Sequence, residues 1–207
     1  RRAETGNEFI RFTIRMIRAA GDARHRGFFC RSLLEHPEDL GRTHRGTPAS
    51  IFQLTEIREA HQGHNFATAA GHQCQFRGCD RRKPTRLVSD ILGIEDFGFP
   101  GWPTFDPAGY YVGPLPRDCG HIHRQKMIGR NSRGGFHTAP TAAYPPGMCR
   151  FLATVIFREW LNYIQKLSTC GMGETPAATR VRKLGLSQAF SSVNQLLTLL
   201  QLLELQQ

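Results

Sequence analysis

HQCQFRGCDRRKPTRLVSD, residues 72–90, is the stretch on which the fold prediction depends. Its first residues continue the small and apolar segment NFATAAG, and its last residues, TRLVSD, are rich in β-branched and apolar side chains. This pattern predicts two strands joined by the loop RGCDRRKPTR. Because the loop combines cysteines with a run of positive charge, it suggests either a metal site or a surface that contacts phosphates.

A further buried strand is predicted for residues 28–34, which follow a glycine and are mostly apolar. Pro37 is expected to stop this strand, since proline cannot donate to a ladder of hydrogen bonds. Glu35 then lies where the strand meets a loop, which is the end at which ligands bind in open α/β sheets.

Helices are predicted before, between and after these strands. Residues 7–20 have helical spacing and should end at Gly21, and residues 47–61 open with Thr47-Pro48. The strongest pattern covers residues 147–167, with apolar positions at 148, 151, 152, 155, 156 and 160. The intervening residues 93–147 are rich in glycine, proline and aromatic residues and predict an irregular insertion.

These elements predict an α/β domain over residues 1–169 with a partial Rossmann-like, mostly parallel sheet. The irregular insertion and a C-terminal helix complete the domain. Residues 170–207 are predicted to be a linker followed by a Leu/Gln-rich tail of low complexity.

The charge of the chain favours a polyanionic partner. Lys and Arg number 27 against 17 Asp and Glu, a formal net charge of +10, which favours nucleic acid first and an anionic membrane surface second. No stretch approaches the roughly 18 apolar residues of a membrane span, so no membrane association is expected. Six cysteines without a secretion signal predict reduced thiols and an intracellular location, nuclear or cytoplasmic.

The basic loop supplies the candidate phosphate contacts. Arg81, Arg82 and Lys83 lie in the loop, and Arg86 lies in the strand that follows. Such side chains neutralise successive phosphates and give affinity without base choice. The alternative interpretation is an ordinary solvated run of charge, and the same alternative holds for the basic face of the first helix, formed by Arg11, Arg15 and Arg18.

A zinc site is the alternative interpretation of the cysteines. The candidate ligands are spaced as Cys-x4-Cys and, some forty residues later, as Cys-x-His-x-His; they are Cys74, Cys79, Cys119, His121 and His123. A metal would explain how a glycine- and proline-rich segment becomes ordered. Otherwise, the cysteines would be small buried hydrophobic residues.

Three segments occur in one order: LLEHPEDLG, QCQFRGCDRRKPTRLVSD and AAYPPGMCRFLA. Together they resemble the C-terminal part of cytosine-5 DNA methyltransferase-like domains, especially divergent ones of phages and mobile elements, over roughly residues 27–160. The resemblance implies that Glu35 holds a flipped cytosine. It also implies that the target DNA is contacted by Gln75, Arg81, Arg82, Lys83 and Arg86, and that S-adenosylmethionine lies beside Tyr144, Pro145 and Pro146.

The chain departs from that family at important positions. His36 replaces the asparagine that follows the family's glutamate, and neither a Phe-x-Gly-x-Gly cofactor loop nor a Pro-Cys-Gln nucleophile loop is present. The expectation is therefore a catalytically incomplete, DNA-binding portion of such a protein. The alternatives are a zinc-stabilised nucleic-acid-binding module without catalysis and a non-functional translated fragment.

Overall fold

The computed structural model describes most of the first 169 residues, namely 2–44, 46–47, 50–77, 79, 82–123 and 143–169. The chain divides into two compact units, Arg1–Ile156 and Phe157–Gln207, and the sheet belongs to the first. The tail predicted at 170–207 lies outside the described residues.

A four-stranded sheet in the order β1-β3-β2-β4 forms the centre of the first unit. Its strands are β1 (Leu33–Pro37), β2 (Ala67–His72), β3 (Pro84–Ser89) and β4 (Phe99–Pro100). The fold is a mixture of helices and sheet, as predicted, but every pairing in this sheet is antiparallel. The prediction of a mostly parallel, Rossmann-like sheet is therefore wrong. Only a short segment without an α-helix separates β2 from β3, whereas a parallel pair requires a long crossover.

Both faces of the sheet are covered. On one face Ala69 and Leu87 pack with residues that follow β3 and with the start of the last helix, a cluster completed by Ile91, Ile94, Phe97, Met148 and Val155. On the other face Ala70 packs with Tyr111 and Leu115. Neighbouring residues of one strand therefore enter different cores, as the two-residue period of a strand requires.

The first strand differs from its prediction. It covers Leu33–Pro37 rather than residues 28–34, and Glu35 lies in its middle, opposite Leu87 of β3. The predicted strand ended at residue 34, before Pro37, whereas the observed strand includes Pro37 as its last residue. Because β1 is an edge strand, the missing N–H of proline is tolerated there.

Two helices pack against each other through the apolar residues Ile14, Ile17, Ile57 and Ala60. These helices are α1 (Arg2–His25) and α2 (Thr55–Gln62), the latter preceded by a 3-10 turn, Ile51–Gln53. Helix α1 continues through Gly21, contrary to the prediction. The absence of a side chain at Gly21 makes room for the ring of His64, which a Cβ atom would overlap. The helix ends at His25, and Gly27, whose φ of +86° suits glycine, lies two residues beyond it.

In the described parts of the predicted irregular insertion, residues 93–123 and 143–147, the regular elements before the last helix are short. These are a 3-10 helix, Ile94–Phe97, the sheet strand β4, and a small hairpin of β5 (Thr104–Phe105) and β6 (Tyr111–Gly113). The C-terminal helix prediction is confirmed by α3, Pro146–Thr169. Within the part of the chain that the structure describes, no helix combines the length and apolar character needed to cross a bilayer.

Candidate metal centre and basic surface

Four potential metal ligands converge at the end of β2. Cys74 lies in the 3-10 helix Gln73–Gln75, directly after the strand, while Cys119, His121 and His123 lie in the loop beyond β6. Their Sγ and imidazole nitrogen atoms all lie within 4.8 Å of one another. Two thiols and two imidazoles form the donor set of closed, structural zinc sites.

Local interactions position the histidine-bearing loop. Buried His72, at the end of β2, contacts the carbonyl oxygen of Pro116 through Nε2 at 2.9 Å. Asp118 Oδ1 then accepts a hydrogen bond from the N–H of Gly120, whose φ of +74° places a turn within the loop. The first contact holds the loop beside the 3-10 helix of Cys74, and the second shapes the turn within it, so the ligands come together although they are distant in sequence.

The two thiols differ in their affinity for a proton. Burial raises the pKa of Cys74 to about 12, and the neighbouring Cys119 adds to this increase. Burial also acts to raise the pKa of Cys119, but hydrogen bonds with the His121 backbone and with His123 outweigh it and lower the pKa to about 7. The His123 Nε2 atom lies 3.0 Å from Cys119 Sγ. Cys119 is therefore the thiol that is closer to the thiolate form that a metal requires.

The separations of the donor atoms are close to those found around a bound ion. A tetrahedral zinc with bonds of about 2.0–2.3 Å would bring its ligand atoms to roughly 3.3–3.8 Å from each other. The donor atoms all lie within 4.8 Å of one another, and the 3.0 Å between Cys119 Sγ and His123 Nε2 is slightly below that range. Four of the five candidate ligands, Cys74, Cys119, His121 and His123, come together in the structure, whereas Cys79 is not a member of the cluster.

The predicted nucleic-acid contacts fall in different environments. Arg82 is exposed and Lys83 is half-buried, while Arg81 lies outside the described residues. The Gln75 side chain caps its 3-10 helix by accepting a hydrogen bond from the N–H of His72 at 3.3 Å. Arg86 is completely buried, so it does not reach a surface phosphate.

Arg86 instead belongs to an interior polar network that the sequence did not predict. Its guanidinium donates to both carboxylate oxygens of Glu38, at 2.6 and 2.7 Å, and to Thr68 Oγ1 at 2.8 Å. The hydroxyl of Tyr111 donates to Glu38 Oε1 at 2.7 Å and accepts from the N–H of Leu115. The only signal in the sequence is an arginine among the alternating residues of a buried strand, and its partner lies 48 residues away.

The residues assigned to base and cofactor binding gather near the first strand. Lys83 Nζ lies 3.8 Å from Glu35 Oε1 and 5.8 Å from the centre of the Tyr144 ring. Burial and the charge of Glu35 raise the pKa of Tyr144 to about 12. Pro145 is buried and Pro146 begins α3, so Tyr144 is fixed at the entry to that helix. Glu35 and Lys83 therefore lie on the same side of the sheet.

No model of a protein family, no curated protein and no solved structure matches this chain.

Proposed function

We propose that this protein is a nucleic-acid-binding module, acting on DNA inside the cell, whose basic surface is organised by a zinc ion. The observation that carries the proposal is the convergence of Cys74, Cys119, His121 and His123 at the end of β2. Zinc fits this donor set because thiolate and imidazole are its preferred ligands in structural sites. Four protein ligands leave no open coordination position, so the ion would have a structural rather than a catalytic role.

The metal ligands adjoin the most basic parts of the chain. Cys74 precedes a segment with exposed Arg77 and Arg82, and the charge of Arg82 acts on His72 beside the cluster. In the sequence, His123 is followed directly by a second cationic segment with Arg124, Lys126, Arg130 and Arg133. One ion bound here would join the two cationic segments at the residues where they begin, next to Cys74 and His123. Both segments could then contact the same phosphate backbone.

Metal content tests the first half of the proposal. The purified protein should contain one equivalent of zinc, and Cys74→Ser and Cys119→Ser should each remove it. Cys149→Ser is the matched control, since Cys149 is an exposed thiol outside the cluster. Cys79→Ser should also retain zinc. Zinc that is absent from the wild type, or retained by both ligand variants, would exclude a metal centre at this position.

Salt-dependent binding tests the second half. Arg77→Gln and Arg82→Gln should weaken binding of a labelled DNA duplex, and each should reduce the slope of log K against log salt by about 1. Glu95→Gln is the control, because it alters an exposed charge on another segment. Absence of DNA binding at low salt would refute the function even if zinc is bound.

A second candidate function rests on the contact between Glu35 and Lys83 near Tyr144. In the methyltransferase resemblance, the glutamate recognises an extruded cytosine, and a neighbouring cation would hold its phosphate. In open α/β folds, ligands bind at the carboxyl ends of parallel strands, and this antiparallel sheet has no such edge. The second candidate function therefore depends only on the arrangement of Glu35, Lys83 and Tyr144. Titration of S-adenosylmethionine and of duplex DNA against wild type and Glu35→Gln tests it. Equal DNA affinity of the two proteins and no cofactor binding would exclude it.

A further inference from the structure

The outward face of α1 carries large apolar side chains that the described part of the chain leaves exposed. Phe9, Phe12 and Met16 are 68%, 53% and 54% exposed, whereas Ile14 and Ile17 on the opposite face pack against α2. Exposed phenylalanines on a helix that already buries one apolar face indicate a contact surface. They are not needed for the packing of α1 on its neighbour.

Arginines form a second row on the same exposed face. At about 100° per residue, Arg11, Arg15 and Arg18 fall within roughly 60° of one another, and the row of Phe9, Phe12 and Met16 spans a similar arc beside it. Along the helix axis, successive members of each row are separated by about 4.5–6 Å. The surface therefore has a cationic side and an aromatic side that run in parallel.

We propose that this face of α1 binds single-stranded nucleic acid. A single strand presents phosphates along one side and unstacked bases along the other, which matches a row of arginines beside a row of aromatic rings. A duplex would offer phosphates to the arginines but no base faces to the rings. A membrane-surface helix usually has its apolar stripe flanked by cations and opposite a polar face, whereas here the cations lie on one side only.

A shallow depression on this surface is lined by Glu8, Phe9, Arg11, Phe12 and Arg15. Two arginines against one carboxylate leave it positively charged, and the carboxylate can accept a hydrogen bond from a base amino group. The inference deepens the proposed function, on which it rests, by naming a strand class and a second surface that does not involve the metal ligands.

Fluorescence anisotropy with a labelled oligothymidylate of about 12 nucleotides tests this inference. Phe9→Leu and Phe12→Leu should each weaken binding about tenfold, since leucine retains apolar volume but cannot stack. Phe28→Leu is the matched control, because Phe28 is 64% exposed and lies beyond the end of α1. Arg11→Gln and Arg15→Gln should each reduce the salt slope by about 0.7, as for a single strand. Circular dichroism should confirm unchanged folding in every variant.

Unchanged oligothymidylate affinity in the two phenylalanine variants would overturn the inference. If Arg77→Gln and Arg82→Gln still weakened duplex binding, the proposed function would stand without it. A further outcome is that the protein binds phosphatidylserine vesicles, with loss of that binding in Phe9→Leu, and shows no binding of oligothymidylate. That result would assign this face of α1 to a lipid surface and would also overturn the inference.

Discussion

The Arg86 guanidinium and the Glu38 carboxylate form a bidentate ion pair in the interior of the protein, and neither side chain is exposed to solvent. The rings of Phe52 and Trp102 lie 5.8 and 6.0 Å from the guanidinium carbon. Desolvation makes the net contribution of such a pair small, but the loss of one partner leaves a buried charge without compensation.

Glu38→Gln or Arg86→Met should therefore lower the free energy of unfolding by about 3–5 kcal/mol. The double variant Glu38→Gln/Arg86→Met should be less destabilised than the sum of the single changes, because no isolated charge remains. Urea unfolding followed by circular dichroism measures all three. Additive effects would show that the two side chains do not act as a pair.

Tyr111 extends this network, and its hydroxyl can be removed without changing the volume of the ring much. Tyr111→Phe removes the donor to Glu38 and the acceptor of the Leu115 N–H, so we expect a loss of about 1–3 kcal/mol. Tyr110→Phe is the matched control, since Tyr110 is 39% exposed and should change stability by less than about 0.5 kcal/mol. Equal thermal midpoints for the two variants would contradict the role of the hydroxyl.

His61 should make the stability of the protein depend on pH. Burial lowers its pKa below the ordinary 6.5, and the nearby His64 acts in the same direction, although a hydrogen bond to the Ile57 carbonyl opposes them. Because the folded state favours neutral imidazole, this contribution is present above pH 6.5 and is lost as the pH falls through the lowered pKa.

The measurement is the free energy of unfolding in urea at a series of pH values on both sides of 6.5. His61→Gln should flatten the decrease at acidic pH, while His44→Gln, at an exposed position, should leave it unchanged. A wild-type protein that became more stable on acidification would show that His61 is not held in its neutral form.

Gly98 lies where the chain passes close to the backbone of β2. A Cβ atom at this position would overlap the carbonyl oxygen of Ala70 in β2, and backbone cannot move aside as a flexible side chain can. Gly98→Ala should therefore destabilise the fold by about 1–3 kcal/mol. Gly63→Ala should be neutral or stabilising by up to about 1 kcal/mol, since Gly63 is αR and its nearest atom would be 3.7 Å away. Scanning calorimetry compares the two, and similar midpoints would contradict this packing.

Helix α3 shows how much of the fold the sequence could predict. Its apolar positions recur with a helical period around Met148 and Val155, and both residues reach the core as expected. The strands β2 and β3 were also predicted close to their observed bounds. Local periodicity determines such elements because each side chain's direction follows from its own backbone.

The cluster of potential metal ligands was predicted in part for a related reason. Cysteine and histidine are the usual ligands of zinc, so their presence indicated the class of site. Which ligands meet depends on the path of the chain: the contact of His72 with Pro116 brings the loop of His123 to Cys74, whereas Cys79, although nearer in sequence, is not in the cluster.

Local sequence patterns were sufficient to predict that the helices and the two central strands exist and which residue types are available for chemistry. Long-range packing sets the antiparallel pairing of the strands, the burial of Arg86 against Glu38 and the approach of Lys83 to Glu35. The physical reason is the distance along the chain between the residues that interact. Periodicity and propensity act between residues a few positions apart, whereas strand pairing, burial of charge and metal geometry depend on residues that approach only after the chain has folded.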